Sequence, residues 1–110
     1  MRQGDLYWAN LSPTQGSEQK GHRPVVILSG DALNKHLDLC IVCPLTTKVK
    51  FYPGSFTLFP NSQNGLELKS QVLTFQIRAI SKSRLNEKIG MIKKSQVADI
   101  KRGLFNVLTF

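Results

Sequence analysis

Leu39-Cys40-Ile41-Val42-Cys43-Pro44-Leu45 is a continuous apolar run bounded by Asp38 and by Thr46-Thr47. A run this short and this uniformly apolar reads as a central strand covered on both faces. It also carries both cysteines of the chain. On a strand, positions three apart point to opposite faces, which separates Cys40 from Cys43. No second cysteine pair completes a zinc site, and only His22 and His36 remain as further ligands. A redox CxxC motif opens a helix, which this segment does not resemble. The cysteines are therefore expected to be buried and structural, and neither metal nor other cofactor is expected.

Working outward, Pro24-Val25-Val26-Ile27-Leu28 is a second apolar run of the same kind, and Asp31 to His36 suits a helical turn begun by Ser29 or Asp31. Gly4 to Ala9 alternates, with Leu6 and Trp8 on one face and Asp5 and Tyr7 on the other. Further strands are expected at about Gly54–Phe59, with Phe56 and Leu58 on opposite faces, at Ser70–Arg78, and through Lys88–Ile92. A short helix starting at Ser81 or Ser83 fits between the last two. The period then changes: Val97, Ile100, Leu104, Val107 and Leu108 recur at helical spacing, with Ser95 as the expected N-cap. The fold class is mainly β (a β-rich α+β). It is a small SH3-like open barrel or bent antiparallel sheet with short helices and a C-terminal amphipathic helix, in one domain over residues 1–110.

Charge narrows the partners. The 110 residues hold 15 Lys+Arg against 7 Asp+Glu, a net charge of +8. Residues 51–110 carry nine of the basic and three of the acidic side chains. Such a balance favours a polyanion, nucleic acid first and an acidic protein second. The basic residues are scattered, as on a folded basic surface. No apolar run is long enough to span a membrane, and the first residues lack the apolar segment of a signal peptide. A cytoplasmic protein is expected.

The stretch Gly16-Ser17-Glu18-Gln19-Lys20-Gly21-His22-Arg23-Pro24 leads into the second apolar run. A loop that holds an Arg at the threshold of a buried strand presents a fixed cation from a rigid support. Pro24 biases Arg23 towards an extended conformation. A plain connector is the other reading of this loop.

These segments, in order, resemble the MazF/PemK toxin family. The resemblance rests on Gly4-Asp5-Leu6-Tyr7-Trp8-Ala9-Asn10-Leu11-Ser12-Pro13, the Gly16-to-Val25 loop, Pro44-Leu45-Thr46, and Gln76-Ile77-Arg78-Ala79-Ile80-Ser81-Lys82-Ser83-Arg84-Leu85. It implies a compact β-barrel-like fold, a homodimer, a cognate acidic antitoxin with which the toxin binds DNA, and sequence-specific cleavage of single-stranded RNA. The implied chemistry is metal-independent: a ribose 2′-OH attacks phosphorus, leaving a 2′,3′-cyclic phosphate and a 5′-OH. Arg23 and Thr46 match the family's catalytic Arg and Thr. A guanidinium grips two phosphate oxygens at once, and a hydroxyl orients the phosphate or the 2′-OH. An Arg23–Glu18 pair and a Thr46 that caps the next turn are the plain alternatives.

Glu18, Gln19, Thr47, Lys48, Lys50, Phe75, Gln76 and Arg78 are the expected substrate-binding residues. Lys48 and Lys50 stand next to Phe51 and Tyr52, and cations interleaved with rings suit a single strand. Ser17 stands where some relatives carry a His, and its hydroxyl cannot do imidazole's acid–base work. His22 reads as a solvent-facing loop residue. The acid that the family usually carries on the second signature is absent, with Phe75 ahead of Gln76 and Leu73 in place of an Arg. Phe75 can stack on an unpaired base but cannot accept a proton. A non-catalytic toxin of the same fold, either a gyrase poison or an inactive nucleic-acid binder, is the second functional class.

Overall fold

Both apolar runs are central strands. The computed structural model describes residues 1–13, 15–18 and 21–110. Strands β1 (Asp5–Asn10), β2 (His22–Ile27) and β3 (Leu39–Thr46) lie side by side, with β7 (Leu85–Met91) outside β1. Beyond β3 the sheet continues through β5 (Ser70–Val72) to β4 (Phe56–Leu58), and β6 (Arg78–Ser81) also pairs with β3. All of these pairings are antiparallel. Helix α1 (Asp31–His36) links β2 to β3, and α2 (Lys94–Thr109) closes the chain. The sheet curls into a half-barrel with α2 packed against it, as the periodicity indicated.

Side chains alternate across the sheet and build two apolar clusters. Leu6, Val26, Cys43, Leu45, Leu58 and Val72 join Val97 and Ile100 of α2 in one. Ala9, Leu11, Val25, Ile27, Cys40, Val42 and Ile80 form the other. The two cysteines thus lie on opposite faces, free and buried. Burial pushes the Cys43 thiol up from its ordinary value to about 12. Burial also raises Cys40, against the opposing pull of the Lys82 ammonium.

The expected strand Ser70–Arg78 is broken. β5 places Val72 opposite Leu45 and Gln71 opposite Thr46, while β6 places Arg78 opposite Val42. Had the register of β5 continued, Val42 would face Phe75. The three additional residues form a 3-10 turn, Thr74–Gln76. The Leu73 N–H donates to the Pro44 carbonyl (2.9 Å) where the chain leaves the ladder. Phe75 and Gln76 therefore project from a turn and not from a strand.

Smaller differences have local causes. β2 begins at His22, so His22 and Arg23 belong to a strand and not to the loop. The N-cap of α1 is Gly30. The Ser29 hydroxyl instead donates to Asn34 Oδ1 (2.5 Å) and accepts the Ile41 N–H (3.0 Å). α2 starts at Lys94, because the Lys93 N–H donates to Gln96 Oε1 (2.9 Å) and sets the first turn ahead of Ser95. Phe56 and Leu58 both face the first cluster, two residues apart on one strand.

Between β3 and β4 the chain docks on α2 at one close contact. Gly54 has φ +70°, and a Cβ there would lie 2.5 Å from the Gly103 carbonyl oxygen. A Cβ on Gly103 would lie 2.1 Å from the Gly54 oxygen. Only two glycines permit this approach. Past it, the apolar stripe of α2 runs out into solvent, with Phe105 63%, Leu108 77% and Phe110 97% exposed.

Candidate functional site

Arg23 and Thr46 stand at neighbouring strand ends. The β2–β3 ladder ends at Val25 facing Pro44, and Arg23 and Thr46, two residues further out on each strand, border one cavity. Arg23 alternates with Val25 and Ile27, and Thr46 with Val42 and Cys40, so both side chains belong to the side of the second cluster. Arg23 is half-buried and Thr46 buried. Thr46 Oγ1 accepts the Lys48 N–H at 3.2 Å, the turn-capping bond, which leaves its own O–H proton free to donate.

On that same face, a cleft of about 90 Å³ is lined by Leu11, Glu18, Pro44, Gln76, Ile77 and Arg78. Arg23 and Thr46 are not among its lining residues; Pro44, two residues before Thr46 on β3, is. Three residues from distant parts of the chain meet here: Glu18 from the first loop, Gln76 from the 3-10 turn, Arg78 from β6. Glu18 Oε1 accepts the Gln15 N–H (2.8 Å), and Arg78 Nη1 reaches the Leu11 carbonyl (3.5 Å). Gln19, the remaining expected loop residue, lies outside the described residues.

Thr47, Lys48 and Lys50 follow β3 in an exposed segment beside the pair. Phe75 joins that segment from the other side, its ring 5.7 Å from that of Tyr52 and tilted by 39°. It stays 42% exposed, enough to present an edge or face to a ligand.

Two residues that hold these loops escaped the sequence reading. Gln71, opposite Thr46 and buried, accepts the Lys50 N–H through Oε1 (2.7 Å) and donates through Nε2 to the Lys50 carbonyl (2.7 Å). Arg84 Nη1 donates to the carbonyls of Asn10 (3.2 Å) and Ser12 (2.5 Å), securing the stem of the Glu18 loop. A third bond, Leu11 N–H to the Gly21 carbonyl (3.0 Å), closes that stem.

His22 is exposed, as expected, but it is built into β2. Alternation aims it to the face opposite Arg23. There it stacks on Trp8, with ring centroids 4.9 Å apart and planes within 12°. It therefore does not stand beside the Arg23 guanidinium.

Three comparisons agree on where such an arrangement belongs. Residues 2–108 match the family described as PemK-like, MazF-like toxin of type II toxin-antitoxin system. The endoribonuclease MazF of Staphylococcus saprophyticus is 37% identical over 105 residues, covering 94% of this chain and 88% of that protein. The crystal structure of MazF (Form-I) from Deinococcus radiodurans superposes with a TM-score of 0.84 at 32% identity, covering 100% of this chain and 97% of that one. A MazE–MazF structure (Form-II) from the same organism matches with a TM-score of 0.76 at 27% identity, covering 100% and 96%. The fold is that of a small toxin. The chain belongs to the PemK/MazF-like family of type II toxin–antitoxin toxins.

Proposed function

We propose that this protein is an endoribonuclease toxin that cleaves single-stranded RNA in a sequence-dependent, metal-independent manner. Attack by a ribose 2′-OH on the adjacent phosphorus yields a 2′,3′-cyclic phosphate and a 5′-OH. The observation that carries this reading is that Arg23 and Thr46, from adjacent ends of β2 and β3, border one cavity. Membership in the toxin family and the 37% identity to a protein named an endoribonuclease support it.

In this mechanism the Arg23 guanidinium binds two phosphate oxygens and stabilises the charge that grows on them in the transition state. Thr46 donates its hydroxyl proton to the phosphate and fixes its orientation. Glu18 is the one carboxylate lining the cleft; it takes the 2′-OH proton as base, and the departing 5′-oxygen takes its proton from water. Gln76 and Arg78 contact the strand from the far wall. Thr47, Lys48, Lys50 and the Phe75 ring take the adjoining nucleotides, and Gln19 extends the first loop's contacts.

A second copy of the chain and an acidic antitoxin complete the reading, with the cytoplasm as its setting and DNA bound through the antitoxin complex. The exposed apolar end of α2 and Phe51, 96% exposed in the segment docked on that helix, supply the surface for a homodimer. The +8 charge suits an acidic antitoxin chain that folds on binding. The similar MazE–MazF structure supports a proteinaceous partner for this fold.

The test is cleavage of a long single-stranded RNA in EDTA, with the ends mapped by primer extension and the phosphate chemistry read by mass spectrometry. Cuts at a recurring short sequence, bearing cyclic phosphate and lost in Arg23→Ala, are expected. Absence of cleavage at stoichiometric protein overturns the reading in favour of a non-catalytic toxin.

A further inference from the structure

We infer that the Trp8–His22 stack is a subsite for an unpaired RNA base next to the cleaved phosphodiester; this rests on the nuclease reading above. The β2–β3 ladder ends at Val25↔Pro44, while β3 pairs with β5 along its other edge. Beyond that end a cavity of about 250 Å³ opens, bordered by Trp8, His22, Arg23, Pro24, Thr46 and Thr47 among others. One cavity wall thus includes the catalytic pair, and another is an aromatic stack. A second cavity, about 510 Å³, continues past the same two rings to Asn86 and Glu87.

The chemistry of these walls selects a base and not a phosphate. Glu87 repels an anion, whereas the exposed His22 ring, backed by Trp8 at 4.9 Å, offers a flat face on which a further ring extends the stack. Asn86 adds an amide that can donate to or accept from a base edge. A phosphate held by Arg23 leaves its neighbouring nucleotide at the mouth of the first cavity. The strand then passes round the adjacent ends of β2 and β3, from the charged face to the aromatic one.

Trp8 is the chain's one tryptophan, so its fluorescence reports directly on this site. The probe is a short 2′-O-methyl RNA of the mapped cleavage sequence, which cannot undergo 2′-OH attack. Its binding is expected to quench Trp8, and a single abasic position beside the central phosphate is expected to abolish the quench. His22→Ala is expected to weaken binding about tenfold and to raise KM for cleavable RNA while leaving kcat within about twofold. His22→Phe, which keeps a ring, is expected to restore both. Unchanged affinity and quench in His22→Ala, or full quench by every abasic probe, overturns the subsite even where RNA is cleaved. Where ordinary RNA is not cleaved, a random-sequence 2′-O-methyl heptamer pool that quenches Trp8 in the parent and not in His22→Ala leaves a base subsite standing and removes the nuclease reading.

Discussion

The Gln71 carboxamide holds both polar backbone groups of Lys50 while its own residue lies opposite Thr46 in the β3–β5 ladder. The segment after Thr46 is thereby tied to the strand that pairs with that threonine. Gln71→Leu removes both bonds while keeping the volume. It is expected to cost about 1–2 kcal/mol in urea unfolding and to lower kcat/KM for RNA about tenfold. A variant that loses the stability yet cleaves as before shows that the bonds serve the fold alone.

A helix interior normally gains about 1 kcal/mol when Gly becomes Ala. Gly103→Ala is expected to do the reverse, because its methyl would meet the Gly54 carbonyl at 2.1 Å. Net destabilisation of about 2 kcal/mol is expected from the overpacked contact. Guanidinium melts of Gly103→Ala beside the exposed control Lys101→Ala give the comparison, and a stabilised Gly103→Ala contradicts the contact.

Arg23→Lys keeps the charge but loses the planar fork that binds two phosphate oxygens. We expect RNA cleavage to fall about a hundredfold, in line with the loss of a directed donor in the transition state. The unfolding midpoint is expected to stay unchanged, because the residue is half-buried at a strand end. Cleavage within threefold of the parent would reduce Arg23 to a simple point charge.

The Cys43 thiol sets a pH dependence on the alkaline side. Its folded value, about 12, lies above the ordinary 9.0 because of burial. Above pH 9 the unfolded chain gives up this proton and the native chain keeps it, so stability falls as pH rises from about 9 towards 12. Cys43→Ala is expected to be less stable at pH 8 but to show a shallower decline between pH 9 and 10.5 than the parent. Parallel declines in the two proteins would place the titration elsewhere.

The strands were legible where burial and sequence pattern agree, as in Val25–Ile27 and Leu39–Leu45, whose apolar runs need two covered faces. Thr74–Gln76 was not, because its turn comes from a register offset between two pairings with β3, a relation between segments that local pattern does not carry. Arg23 and Thr46 were singled out as candidates through their motifs. Their shared face follows from strand alternation once β2 is known to start at His22. The cleft around Glu18, Gln76 and Arg78 needed the tertiary fold, and so did Gln71, whose partner lies 21 residues away.

Strand β3 has a partner along both edges, with β2 on one side and β6 and β5 in succession on the other. Its amide protons should be among the last to exchange with deuterated solvent, opening only when the whole domain unfolds. Thr46 is the final residue of that strand. Its seat then lasts as long as the fold itself, on the slowest clock the domain has.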